Sequence, residues 1–312
     1  MLNYLERTFG VEMELVITGG NGNAGTRQAL CTYLAANGII AAVEGYNHTT
    51  RNHWKLTTDC TIRTDGRGEG CEIVSPILRG EAGFLELKKV CELINNYGVW
   101  SNSSCATHVH IQADDLSLKQ HKNIAKAMLK YEWVIDRFVS PSRRGRSSRW
   151  AASNSLHFGR TLADRESNYS LIESCQSLPQ LARLLNPHNN GAGNSSRYHV
   201  WNYTHIQTRG TLENRQHQAT QDYDKISRWL LLQMGFLAGF ADSRLRPSKI
   251  NHRPQANAAH HQTAGNLTLD KGIRRLFKNI KLIDGTIDKD TRKFYQNRVK
   301  ELDAIGARRS AA

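Results

Sequence analysis

Three stretches of this chain carry acids, histidines or arginines at i, i+2 spacing inside an apolar frame: FGVEMEL (9–15), CATHVH (105–110) and RGTLENRQHQAT (209–220). On a β-strand, residues i and i+2 point to one face. Each stretch therefore aims polar groups one way and apolar groups the other. Glu12 and Glu14 alternate with Val11, Met13 and Leu15. Two neighbouring carboxylates repel unless they are solvated or neutralised, and a hard divalent ion such as Mg²⁺ is bound by oxygens of this kind. His108 and His110 repeat the spacing around Val109 and Ile111; imidazoles bind metals or hydrogen-bond anionic oxygens. Glu213 and Arg215 repeat it again, with Arg209 four residues ahead of Glu213. Guanidinium groups grip phosphate or carboxylate oxygens bidentately. Glu72 and Asp59 add acids beside two further strand patterns.

Each motif alone has a plain explanation: a solvated strand face, a hydrogen-bonded histidine pair, a cross-strand salt bridge. Several unrelated strands carrying the same pattern are explained more economically by one metal- and phosphate-binding cavity.

The elements that must position these groups follow from periodicity. Strands are expected at 8–18, 53–62, 70–76, 105–112, 198–206 and 209–216. Helices are expected at 26–37, with Thr26 as N-cap and Gly38 past the end, and at 81–97, closed by Gly98. A long helix over 118–139 starts with a Ser117/Gln120 capping-box pattern. Further helices are read at 177–186 and 221–241. Residues 140–160 read as a basic loop and 187–197 as a Gly/Asn/Ser-rich loop. Residues 242–268 read as a linker or long loop, and 270–306 as two short basic helices. No internal repeat is evident. Interleaved helices and hairpin-like strand pairs point to an α+β fold with a largely antiparallel sheet.

The 312 residues suffice for one large or two ordinary domains. With 39% hydrophobic residues and a mean hydropathy of −0.55, the composition is that of a soluble globular chain. No apolar run approaches the roughly 18 residues of a membrane span, and MLNYLERTFG lacks a secretory layout, so a cytoplasmic location is expected. The six cysteines are scattered without a C-x-x-C pair, which argues for free thiols rather than disulfides or a zinc knuckle. Residues 243–312 carry sixteen Lys and Arg against six Asp and Glu, leaving only about +4 of the net +14 to the rest. Such a tail is either a solvated surface or a contact for a polyanion such as nucleic acid.

The matching stretches, in order, are FGVEMEL, WKLTTDCTI (54–62), GCEIVSPIL (70–78), CATHVHI (105–111) and YHVWN…RGTLENRQHQAT (198–220). On these the chain resembles the amidoligase family, relatives of glutamine synthetase and glutamate–cysteine ligase, over about residues 5–242. The resemblance implies a glutamine-synthetase-like catalytic fold with a curved antiparallel sheet flanked by helices, as a domain over 1–242 followed by a basic extension over 243–312. It implies ATP-dependent joining of a carboxylate to an amine, with Mg²⁺ or alternatively Mn²⁺. Glu12, Glu14, Glu72, His108 and Glu213 match metal-site positions, His108 beside the nucleotide phosphates. His110 matches a position nearer the acyl substrate. Arg215 matches the arginine that meets phosphate or substrate oxygens, and Arg209 a phosphate-binding arginine. Asp59 sits at a D-x-[ST] position. Ala106 stands where Gly is usual, Asn214 replaces a common aromatic and Thr61 replaces Ser, departures that touch backbone shape and substrate choice.

The implied mechanism is phosphorylation of the carboxylate by ATP, then attack of an amine on the acyl phosphate. His110 or an arginine would stabilise the tetrahedral oxyanion. The basic loop, with Arg143, Arg144, Arg146, Arg149 and Trp150, would cover nucleotide or acceptor. Arginine beside an aromatic also grips single-stranded nucleic acid. The acid and amine could be small molecules, peptides or macromolecules, and a homo-oligomer is open. Two alternatives remain: a nucleic-acid-binding protein on a ligase scaffold without turnover, and a different metal-dependent enzyme such as a hydrolase or nuclease. No H-E-x-x-H or Walker A motif supports the latter.

Overall fold

The structure is a computed structural model that describes residues 6–20, 22–145, 148–155, 158, 162–187, 196–246, 263–264, 267–280 and 289–310. Its contacts divide the chain into two compact units. A sheet unit comprises Leu5–Gln112 and His217–Leu231, and a helical unit comprises Ala113–Gln216 and Leu232–Ala312.

In chain order the sheet unit contains β1 (Thr8–Ile17), α1 (Arg27–Ala36), β2 (Ala41–Val43), β3 (Trp54–Thr57), β4 (Glu69–Val74), β5 (Leu78–Arg79), α2 (Gly80–Tyr97), β6 (Val99–Trp100) and β7 (Ala106–Gln112). Its strands lie in the order β2-β3-β4-β1-β7, and β5 and β6 pair with opposite ends of β1. All these pairs are antiparallel except β2 with β3. The α+β expectation with a mainly antiparallel sheet therefore holds in this unit.

β1 alternates as its sequence demands. Phe9, Val11, Met13 and Leu15 are fully or almost fully buried, each worth roughly 1.5–3 kcal/mol relative to exposure. Helix α2 packs on this apolar side: Phe84 meets Phe9 at 4.8 Å between ring centroids, and Glu86 accepts a 2.8 Å hydrogen bond from the Trp54 indole. Thr26 caps α1 by accepting from the Ala29 amide. Gly98 ends α2 at φ 104, where a Cβ would stand 2.2 Å from the Gly19 carbonyl oxygen, so only glycine makes that close turn into β6.

The helical unit contains α3 (Leu118–Ile135), α4 (Leu162–Ser174), α5 (Leu178–Leu185), β8 (Trp201–Asn202), α6 (Ile206–Arg209), α8 (Leu269–Asn279) and α9 (Lys289–Ser310). The stretches β9 (Thr211–Gln218) and α7 (Tyr223–Ala241) have residues in both units. The Ser117/Gln120 capping box is present at the start of α3. The core of this unit is aromatic: Tyr131 meets Phe240, Trp201 meets Phe236, and Phe138 meets both Phe277 and Tyr295. No described helix is long and apolar enough to cross a membrane.

Several expected elements differ. The 53–62 strand ends at Thr57, because the Asp59 carboxylate accepts hydrogen bonds from both the amide and hydroxyl of Thr61 and makes a turn instead. The 198–206 strand is only Trp201–Asn202, and Arg209 closes a helical turn rather than lying on a strand. The basic loop is not solvated throughout: Arg143, Ala151, Ala152, Ser153 and Asn154 are buried. Helix α4 follows it, where no element was expected. The second C-terminal helix is long, 22 residues, and Ile273, Leu276, Phe277, Tyr295, Val299 and Leu302 in α8 and α9 are buried. Arg146, most of the 187–197 loop and residues 247–262 of the expected linker lie outside the described residues.

Candidate active site

Antiparallel register decides which polar groups of the sheet unit meet. Glu12 is directly opposite His108, Glu14 is opposite Glu72, and Glu72 is opposite Thr57. Directly opposed residues share a face. Glu12, Glu14, Glu72, Thr57, His108 and His110 thus stand on the side of the sheet away from Val11, Met13 and Leu15. The strand alternation that buries the apolar residues puts all the polar ones together.

The groups are tightly coupled. The Glu12 carboxylate lies between two rings, 3.2 Å from Nδ1 of His108 and 3.2 Å from Nε2 of His110. Burial alone would raise its pKa; the charge of His110 and hydrogen bonds from His108 and His110 outweigh that and hold it well below the usual carboxylate range. Glu14 is buried and accepts a 2.7 Å hydrogen bond from the Ala106 amide, while its other oxygen lies 3.7 Å from Nε2 of His108. The Nδ1–H tautomer, donating to Glu12, would present a lone pair at Nε2 on the Glu14 side. A carboxylate holding the far nitrogen of a metal-binding imidazole is the usual way such a ring is oriented.

A divalent cation fits this donor set. Ligand atoms of Glu14, Glu72 and His108 all lie within 4.8 Å of one another. Two carboxylates directly opposite across a strand pair repel, and oxygen donors with one imidazole suit a hard or borderline divalent ion. The hydroxyl of Thr57 is fully buried beside Glu72 in register and has no hydrogen-bond partner among the described residues, a further oxygen on the same face.

The other expected residues belong to the helical unit. Glu213 is 1% exposed; it accepts a 2.7 Å hydrogen bond from the Asn202 amide group and an ion pair from Arg215, with His205 Nε2 at 3.6 Å. The Arg215 guanidinium also donates to the Trp150 carbonyl oxygen and lies over the Tyr198 ring. Arg143 was expected at the nucleotide. It is buried and donates at 2.6 Å to the backbone carbonyl of Arg215, which fixes the strand carrying that side chain. Arg144 is half-buried; burial, and then neighbouring Arg137, lower its guanidinium pKa. Arg209 precedes Gly210, whose φ of 68 starts β9.

The sequence model described as "Putative amidoligase enzyme" matches residues 5–237. The chain belongs to the amidoligase family. No protein of curated function matches it. Among solved structures, this amidoligase is similar to a bifunctional glutathione synthetase from Pasteurella multocida, at 11% identity and a TM-score of 0.47, over 96% of this chain and 47% of that one. It is also similar to the ligase PafA in its complex with the prokaryotic ubiquitin-like protein Pup, at 11% identity and a TM-score of 0.45, over 97% of this chain and 65% of that one. The chain spans about half to two thirds of the length of these two relatives.

Some residues around the amidoligase clusters were not singled out from sequence. Asn202 orders Glu213 while its own carbonyl oxygen makes a turn with the amide and hydroxyl of Thr204. The N-x-T spacing was a readable sign, being the same turn that Asp59 makes with Thr61. Lys55 is buried on the sheet face of Thr57, and its ammonium donates to the carbonyl oxygens of Asn47 and Thr49. Nothing in its i, i+2 context distinguished it from a surface lysine.

Proposed function

We propose that this protein is an ATP-dependent carboxylate–amine ligase, using Mg²⁺ or Mn²⁺ and forming an amide or isopeptide bond through an acyl phosphate on a glutamine-synthetase-like fold. The observation that carries the reading is the Glu14–Glu72–His108 trio on one sheet face of an amidoligase chain.

Oxide is a poor leaving group, so a carboxylate must be activated before an amine displaces it. Glu14, Glu72 and His108 would hold the cation, and Glu12 would keep the His108 ring in its binding tautomer. Bound there, the cation would neutralise phosphate oxygens during phosphoryl transfer, which depends mainly on positioning and charge. Arg215, fixed by Glu213, the Trp150 carbonyl and Arg143, would meet the oxyanion of the phosphoryl or acyl group, with Arg209 as a second phosphate-binding arginine. His110 would donate to the tetrahedral oxyanion formed when the amine attacks. Phosphate leaves, the nitrogen loses a proton, and the amide remains.

The test is ADP and phosphate release from ATP and Mg²⁺, with pooled amino acids, peptides and polyamines, then with protein acceptors. Release that requires both a carboxylate and an amine, and disappears in Glu14→Gln, is expected. Failure of ATP to bind in the presence of Mg²⁺ would remove the ligase reading.

A further inference from the structure

Five of the seven large apolar side chains exposed among the described residues belong to the sheet unit: Ile40, Val43, Tyr46, Ile77 and Leu85. Ile40 is 76% exposed, Ile77 65% and Leu85 58%, and these three line one groove of about 910 Å³ together with the buried Ile39 and Leu78. The groove runs between the segments that lead into β2, β3 and β5 and the first half of α2, so every lining residue lies within Leu5–Gln112. Clustered exposed aliphatic side chains mark a surface that gains by being covered. Sites for small ligands are apolar concavities of roughly 300–1,000 Å³ in which a few polar groups fix orientation.

Four ionisable side chains line this groove: Arg51, His53, Glu86 and Lys89. The first two are held by one acid, Arg51 at 2.8 Å and His53 at 2.9 Å from Glu44. Glu86 and Lys89 are not held in this way. Glu86 accepts the Trp54 indole N–H on one oxygen and has no ion pair among the described residues. Lys89 has neither an ion pair nor a side-chain hydrogen bond among them. The two stand three residues apart on α2, which places them on one helix face. An aliphatic wall thus carries one uncommitted cation and one uncommitted anion. A simple aliphatic acid would gain Lys89 but meet the charge of Glu86, and an aliphatic amine the reverse. A ligand bearing both charges meets both.

We propose that this groove binds an aliphatic zwitterion, a branched-chain amino acid or a short peptide of such residues, with its carboxylate at Lys89, its ammonium at Glu86 and its side chains on Ile40, Ile77 and Leu85. The groove lies along α2, which packs on the apolar side of β1, whereas Glu12, Glu14, Glu72 and His108 stand on the other side of the sheet. Its occupation requires neither ATP nor turnover, so loss of the ligase reading would leave it standing.

The test is isothermal titration calorimetry on the full chain without nucleotide, with L-leucine in one arm and the dipeptide Leu-Leu in the other. 4-Methylpentanoate and isoamylamine, each lacking one charge, are the controls. Saturable binding of at least one zwitterion below about 10 mM is expected. Lys89→Met and Glu86→Gln should each weaken it about threefold to fivefold, the size of one solvent-exposed charge pair. Glutamine keeps an oxygen for the Trp54 indole, so Glu86→Gln tests charge alone. Leu85→Ser, at an exposed position, should weaken binding without lowering the melting temperature. Tighter binding of leucine would assign the groove to an amino acid and tighter binding of Leu-Leu to a peptide; both support the proposal. No saturable binding of either would overturn it, as would variants that melt like the parent and bind unchanged. Binding of 4-methylpentanoate as tight as that of leucine, indifferent to Glu86→Gln, would overturn it in favour of a simple carboxylate site.

Discussion

Glu72→Gln should move metal-free stability and metal response in opposite directions. Ligand oxygens of Glu14 and Glu72 lie within 4.8 Å, directly opposed across β1 and β4. At an effective dielectric constant near 20, two unit charges at this distance repel by about 3 kcal/mol. Glu72 is only half-buried, so solvent screens part of this. A net penalty of about 1 kcal/mol is consistent with opposed like charges in sheets. Glutamine keeps the shape and one carbonyl oxygen but removes the charge. Without metal the variant should therefore melt about 2–4 °C higher than the parent. Mg²⁺ at a hundred times its dissociation constant should stabilise the parent by about 2.7 kcal/mol, or roughly 5–10 °C, and the variant hardly at all. Differential scanning fluorimetry with EDTA and then with Mg²⁺ or Mn²⁺ reads both effects, with Ca²⁺ as a size control. A variant that melts lower without metal yet keeps the full metal-induced shift would refute the reasoning, because Glu72 would then be neither a repelled charge nor a ligand.

Three other outcomes test the fold. Cys60 is the exposed thiol and the other five are buried, with burial pushing Cys91 up to about 12 and Cys71 further up. Ellman's reagent at pH 8 should titrate about one thiol per native chain and all six after denaturation. The Glu44 carboxyl is held down at about 2, first by the Arg51 hydrogen bond and then by His53 and Asn47. Its pairing therefore contributes stability above the ordinary carboxylate value, lost as pH falls from about 4.5 toward 2; Glu44→Gln should flatten melting temperature against pH in that window. Gly239→Ala would put a Cβ 1.8 Å from the Asn279 carbonyl oxygen, forcing α7 and the end of α8 apart. It should cost roughly 3 kcal/mol or more, visible as a lower urea midpoint.

Local chemistry was readable where one residue decides it. Thr26, Ser117 with Gln120, and Gly98 mark helix ends through hydrogen bonds and backbone conformation that belong to those residues. The alternation around Glu12 and Glu14 identified β1 for the same reason, since both faces are written into ten consecutive residues. Helix α4 was not readable, because LADRESNYSLIES is rich in Ser, which prefers caps and turns, and lacks a clean apolar stripe. The 53–62 strand was over-extended because alternation does not reveal that Asp59 and Thr61 will bond to each other. The C-terminal helices were expected as a basic appendage on charge alone. Charge counts miss that Ile273, Leu276, Phe277 and Ile280 recur at helical spacing and are buried.

What motif reading could not supply is register, and register is what gives the two acids different cross-strand partners. Glu12 and Glu14 look equivalent in VEMEL, yet one faces His108 and the other faces Glu72. That difference arises from how β1 pairs with β4 and β7, strands about 60 and 95 residues away in the chain. A slip of one residue would reverse every side chain in β1. The apolar face forbids it: Phe9, Val11, Met13 and Leu15 would leave the core for the polar side, at roughly 1.5–3 kcal/mol each. The same four residues that stabilise the unit thus hold Glu14 against Glu72 beside the unpartnered Thr57 hydroxyl, an arrangement unfavourable on its own. One face supplies the stability and the other carries the conflict, which is where a cation has most to gain by binding.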